Sequence, residues 1–181
     1  MKRNNCLYVV LLLTLASAAC KDDDKSGGSA GSGGSATATG GGGSSAMTTA
    51  VANIAGFMGG TVKGTATFVQ SGTDVTVSVE LSSCVDGKMY PVHIHAGTSC
   101  ADAMAQGDHW GPARGEGIPK IACKGTSGTA TLTRKATDTP DLLWSIGGVE
   151  TTNVVGHAFV VHDPDVAMSP PRIGCGLIQK K

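Results

Sequence analysis

Val75-Thr-Val-Ser-Val-Glu-Leu81 decides the fold. Val75, Val77, Val79 and Leu81 alternate with Thr76, Ser78 and Glu80, so one face is apolar and the other polar. That period of two is the pattern of a half-buried β-strand. Upstream, Thr61 to Gln70 alternates more loosely, and Ser71-Gly-Thr-Asp74 supplies turn chemistry between the two runs, which predicts a hairpin. Downstream, Thr129 to Thr133 and Val154 to Val161 are β-branched or apolar runs bounded by glycine-rich turns. No segment carries a sustained 3.6-residue apolar period with caps. The expectation is an all-β domain, an antiparallel sandwich or barrel spanning residues 51–181.

Composition agrees. The 181 residues hold 14 Lys+Arg against 14 Asp+Glu, so no polybasic footprint points to nucleic acid or to an anionic membrane surface. Charged residues make up 15 % and there are 27 glycines, which excludes a coiled coil and an ordinary helical domain.

The N-terminus reads as an address. Lys2 and Arg3 precede the apolar run Leu7 to Leu15, which is too short to span a bilayer, and small residues Ala16 to Ala19 lead to Cys20. This is the pattern of a secretory signal over residues 1–19. The cysteine after small residues resembles a bacterial lipobox, although Ser17 stands where an aliphatic residue is preferred. Lipidation at Cys20 is the expectation, with ordinary cleavage after Ala18 or Ala19 as the alternative. Such a chain is exported to the periplasm or cell envelope and touches the membrane only through its lipid anchor. Ser26 to Ala46 contains only Gly, Ser, Ala and Thr, a flexible tether spanning about 25 Å, and residues 20–50 as a whole are the expected linker with Cys20 at its start.

Four cysteines remain in the expected domain: Cys84, Cys100, Cys123 and Cys175. In an exported chain they suggest two disulfides, and spacing alone allows three connectivities.

The histidines carry the chemistry. In Val92-His93-Ile94-His95, two imidazoles two residues apart on a strand project from one face while Ile94 points into the core. Such a pair suits copper or zinc. His162 ends the run Val160-Val-His. His157 lies five residues earlier, an odd separation, so the two face apart and do not share a metal. His109 sits in the turn-rich loop Gly107-Asp-His-Trp-Gly-Pro112.

Taken in order, Val92-His-Ile-His-Ala-Gly-Thr-Ser-Cys100, His109-Trp-Gly-Pro112, Val155-Gly-His-Ala-Phe-Val-Val-His162 and Pro171-Arg-Ile-Gly-Cys-Gly-Leu-Ile178 resemble the blocks of copper/zinc superoxide dismutases. The likeness runs from about Thr61 to Ile178. It implies an immunoglobulin-like Greek-key β-sandwich or barrel, superoxide as substrate, and His93, His95, His109 and His162 as copper ligands. It also implies a Cys100–Cys175 disulfide, which leaves Cys84 and Cys123 to pair with each other. Arg172 matches the arginine that attracts and positions superoxide.

Departures from the pattern are informative. The family's zinc subsite needs further histidines after the third copper ligand, and Trp110 to Ile121 contains none. His157 belongs to another strand and does not substitute. The segment from His162 to Cys175 is brief, where most members carry a longer loop. Both features resemble the copper-only branch, and Arg114-Gly115-Glu116 matches that branch's motif after the third ligand. The resemblance therefore implies copper without a proper zinc site, and Glu116 accepting a hydrogen bond from the far nitrogen of His109. The rival readings are a lipoprotein that stores or delivers copper without turnover, and a structural sandwich whose histidines bind nothing.

Overall fold

The computed structural model describes residues 47–111 and 113–181. The expected signal, Cys20 and the tether up to Ala46 lie outside the described residues, as does Pro112. Nine strands and one four-residue helix occur among the described residues: β1 (Thr48–Gly56), β2 (Lys63–Ser71), β3 (Asp74–Ser82), β4 (Met89–Tyr90), β5 (Val92–His95), α1 (Ala103–Gln106), β6 (Ile121–Ala122), β7 (Ser127–Arg134), β8 (Ala158–His162) and β9 (Arg172–Lys180). No helix among them is long and apolar enough to cross a membrane.

β2 and β3 form the expected hairpin, with Ser71 opposite Asp74. Gly72 sits at φ 60°, a conformation that glycine takes without a Cβ clash. The valines of β3 and Leu81 are buried, as are Ala66 and Phe68 of β2. β1 begins at Thr48, three residues before the expected domain start at Val51, and its small residues Ala50 and Ala52 are fully buried. Its edges pair with β2 on one side and β9 on the other. β8 is shorter than the apolar run that suggested it, because Val154 to His157 form a turn.

All pairings are antiparallel, and the main sheet has the order β5-β8-β9-β1-β2-β3-β7. The chain crosses from β3, next to one edge, to β5 at the other edge, then returns to form the edge strand β7 and crosses back for β8, which are Greek-key connections. The sheet curls round one core in which Phe68 meets Phe159 and Trp144 edge to face, with ring centroids 6.3 and 5.8 Å apart. β4 and β6 form a separate two-stranded ribbon, and Cys84–Cys123 staples the segment before β4 to the one after β6.

Both faces of β8 are covered. Phe159 and Val161 lie in the main core, whereas Ala158 and Val160 pack outward with Phe57 and Cys175. His93 pairs with Val160 and His95 with Ala158, so both imidazoles share that outer face while Ile94 is buried in the core. A loop from Ala96 to Glu116 covers this face. Ala96 N–H donates to Asp108 O (2.8 Å), Trp110 N–H to Ile94 O (2.8 Å) and Ile94 N–H to Gly115 O (3.0 Å), which lays the loop along β5 like an extra strand.

Two glycines permit this approach. A Cβ on Gly97 would lie 2.1 Å from Ala105 O, and one on Gly115 would lie 2.1 Å from Ile94 O. Gly115→Ala must therefore push the loop off β5. Urea unfolding should show a loss of about 1–3 kcal/mol, the usual range for an overpacked site.

Candidate metal centre

Four imidazoles from three stretches of backbone meet on the outer face. One nitrogen from each of His93, His95, His109 and His162 lies within 4.8 Å of the others. β5 supplies the first two, β8 the last, and the covering loop brings His109 opposite His95. The ring centroids of His93 and His109 are 4.2 Å apart, and those of His95 and His109 are 4.7 Å apart.

Hydrogen bonding fixes which nitrogen of each ring faces inward. His95 Nδ1 meets Gly107 O at 2.9 Å and His162 Nδ1 meets Pro170 O at 3.0 Å. A carbonyl only accepts, so both Nδ1 atoms carry the hydrogen and both Nε2 atoms present lone pairs. Those Nε2 atoms lie 3.2 Å apart. Two lone pairs at that distance repel unless a cation or a proton lies between them. Glu116 accepts a hydrogen bond from His109 Nδ1 on one carboxylate oxygen, and its other oxygen lies 3.2 Å from His93 Nε2. That leaves His109 Nε2 and His93 Nδ1 as acceptors, and His93 Nδ1 is buried with no hydrogen-bond partner. An orphaned buried nitrogen and an opposed pair of lone pairs are what a nitrogen-preferring metal ion would satisfy, so the residues fit a metal.

Burial keeps His93, His95 and His162 in the neutral form that metals need. It pushes His95 down to about 3, against the Gly107 hydrogen bond and with the Arg172 charge adding to the depression. It pushes His93 down to about 4, although the Glu116 carboxylate works in the other direction. His162 is lowered by the same burial.

Glu116 does more than the sequence suggested. The expectation was a hydrogen bond from His109; the other oxygen of the carboxylate also lies 3.2 Å from His93 Nε2, so one side chain faces two rings. Its own backbone is held by Arg134, whose Nη2 donates to Glu116 O at 2.6 Å.

Arg172 opens β9 opposite His162, where a bulge interrupts the register. Its guanidinium donates to Ala103 O, to Gln106 Oε1 at 3.4 Å and to Gly107 O at 2.7 Å. Those bonds leave Nε–H and one Nη2 hydrogen free of protein acceptors. With His95, His109, His162, Asp108, Ser169 and Pro170, Arg172 lines an open cavity of about 620 Å³. Cys100–Cys175 ties the covering loop to β9 three residues beyond Arg172. Two disulfides of this kind fit an oxidising compartment.

His157 is not part of the cluster. It precedes β8, hydrogen-bonds Ala96 O through Nδ1 at 3.2 Å and stacks on Trp110 with centroids 4.4 Å apart. Sequence reasoning missed the Gly107 and Pro170 carbonyls that set two tautomers, because a backbone acceptor leaves no mark in residue identity. It also missed Gln106, whose only signal was a lone amide in the Cys100–His109 loop.

A family model for copper/zinc superoxide dismutase matches residues 62–178. The chain belongs to the copper/zinc superoxide dismutase family. Membership carries superoxide dismutase-type chemistry, with superoxide as the substrate and a histidine-bound metal. No curated protein matches the chain.

The lowered imidazoles predict an acid-sensitive metal-free protein. An unfolded histidine takes a proton near pH 6.5, and these rings do not take one in the folded state until about 4 for His93 and about 3 for His95. Protons therefore favour unfolding increasingly as pH falls below about 6.5. The urea midpoint of the metal-free protein should drop steadily from pH 7 to pH 4.5, and a flat profile would contradict the buried neutral rings.

Proposed function

We propose that this protein is a copper-only superoxide dismutase, exported and held at the cell envelope by lipid on Cys20, with residues 51–181 as its enzymatic domain. The observation that carries the reading is the Glu116 carboxylate, which accepts a hydrogen bond from the far nitrogen of His109 and lies 3.2 Å from that of His93. In a two-metal centre the far nitrogen of a bridging imidazole would bind zinc. Here a carboxylate takes that nitrogen, and Trp110 to Ile121 supplies no further histidine.

His93 would hold copper through Nδ1, and His95, His109 and His162 through Nε2. When bound, copper supplies the one-electron cycle in which one superoxide is oxidised to dioxygen and a second, with two protons, is reduced to hydrogen peroxide. The chain does the rest. Arg172 draws the anion into the cavity and offers it two N–H donors, while its bonds to Ala103 and Gly107 keep the guanidinium from swinging away. His109 is the more open of the two rings beside Glu116, with 39 % of its side chain accessible against 19 % for His93. It can take a proton at Nε2 while Nδ1–H stays on Glu116, which gives the site a proton source without losing ring orientation. The closed pair of carbonyl acceptors behind His95 and His162 holds those two rings still.

Metal analysis of the purified protein should find one copper per chain and no stoichiometric zinc. Superoxide decay should vanish in His95→Ala. In Arg172→Ala it should fall by about tenfold and become less sensitive to salt, because part of the electrostatic steering is gone. Copper bound without superoxide decay would leave a storage or delivery role instead, and one zinc per copper would overturn the copper-only reading. Glu116→Gln should weaken copper binding by about 10- to 100-fold in a chelator competition, the usual effect of losing a partner behind a ligand.

A further inference from the structure

Methionine normally fills gaps in cores, yet all five methionines among the described residues are exposed and none joins the core. Two of them, distant in sequence, face the same groove. Met58, 79 % exposed, follows β1, and Met104, 92 % exposed, lies in α1. Together with Phe57, Ala101, Asp102 and Ala103 they line a cavity of about 580 Å³ beside the Cys100–Cys175 bridge.

That groove shares lining residues with the cavities that lead toward the histidines. Ala103 and Met104 also line a second cavity with Gly107, Asp108 and Arg172. Asp108 and Arg172 in turn line the cavity that reaches His95, His109 and His162. Met58 is presented at a conformational cost: its φ of 47° is left-handed, a region that a long side chain occupies only under constraint, at about 1 kcal/mol or more. All cysteines among the described residues are locked in disulfides, so thioether sulfur is the soft donor left on this surface. The carboxylates of Asp102 and Asp108 add negative charge along the way, which favours a cation.

We propose that Met58 and Met104 form a two-thioether site that accepts Cu(I) and passes it inward to the histidine centre. The proposal rests on copper being the metal of that centre. Thioethers select Cu(I) over harder ions, and the three rotatable bonds of each methionine let the two sulfurs converge on one ion and then let go. Transfer inward is ligand exchange: copper–sulfur bonds break, copper–nitrogen bonds form, and the ion stays Cu(I), so no oxidant or reductant is required.

The test uses the full chain labelled with ¹³C at the methionine methyls and titrated anaerobically with Cu(I). The Met58 and Met104 signals should move together and saturate, while Met47 and Met89 stay in place and Zn(II) moves none of them. Met58→Leu/Met104→Leu should load its histidine centre from limiting Cu(I) about tenfold more slowly, the scale of a lost local concentration effect, and Met89→Leu should load normally. Unmoved signals, separate shifts of the two methyls, equal shifts at Met47 and Met89, or unchanged loading in the double variant would each overturn the site. Methyl shifts with no copper at the histidines would overturn the inward transfer together with the enzymatic reading; normal copper turnover with silent methyls would overturn the site and leave the enzymatic reading standing.

Discussion

The structure depends on four imidazole lone pairs being made to face one another. The Nε2 atoms of His95 and His162 stand 3.2 Å apart with no hydrogen between them, because each ring has committed its hydrogen to a backbone carbonyl on the far side. Left alone, such an arrangement would relax by ring rotation or protonation. Rotation is blocked by the Gly107 and Pro170 acceptors, and protonation is opposed by burial. With the proton disfavoured by burial, a metal ion is the partner that best satisfies both lone pairs, which is why the residues fit a metal.

Holding that contact needs a rigid frame on both sides. β5 and β8 pair directly, so His93, His95 and His162 are set by the ladder of the sheet. His109 has no such strand. Its place is fixed by the loop that runs along β5 through the Ile94, Trp110 and Gly115 hydrogen bonds, and by Glu116. Arg134 reaches Glu116 from β7, the opposite edge of the sheet, so curling the sheet also positions the carboxylate. The centre and the closure of the barrel are one mechanical problem.

Charge around the mouth is balanced, not simply positive. Arg172 and Asp108 line the same cavity. The guanidinium is held by carbonyls, whereas the carboxylate is exposed and free to be screened. A small anion therefore meets a fixed positive donor close to the rings, and a cation approaching from the methionine groove meets carboxylates on its way.

Much of the sheet could be read from local pattern. The alternation of Val75 to Leu81, the turn at Ser71 to Asp74 and the shared face of His93 and His95 depend only on the two-residue period of a strand. β1 was hidden, because Thr48 to Gly56 is built of small residues whose burial comes from their neighbours β2 and β9 and not from their own hydrophobicity. Identity alone also gave the four histidines and the arginine as a set, through ordered blocks of sequence. What it did not contain was direction: that His93 turns Nδ1 inward while the others turn Nε2, that Glu116 spans two rings, and that Met58 and Met104 share a groove. Those facts come from pairs of residues far apart in the chain, and only the closed curl of the sheet brings such pairs within bonding distance.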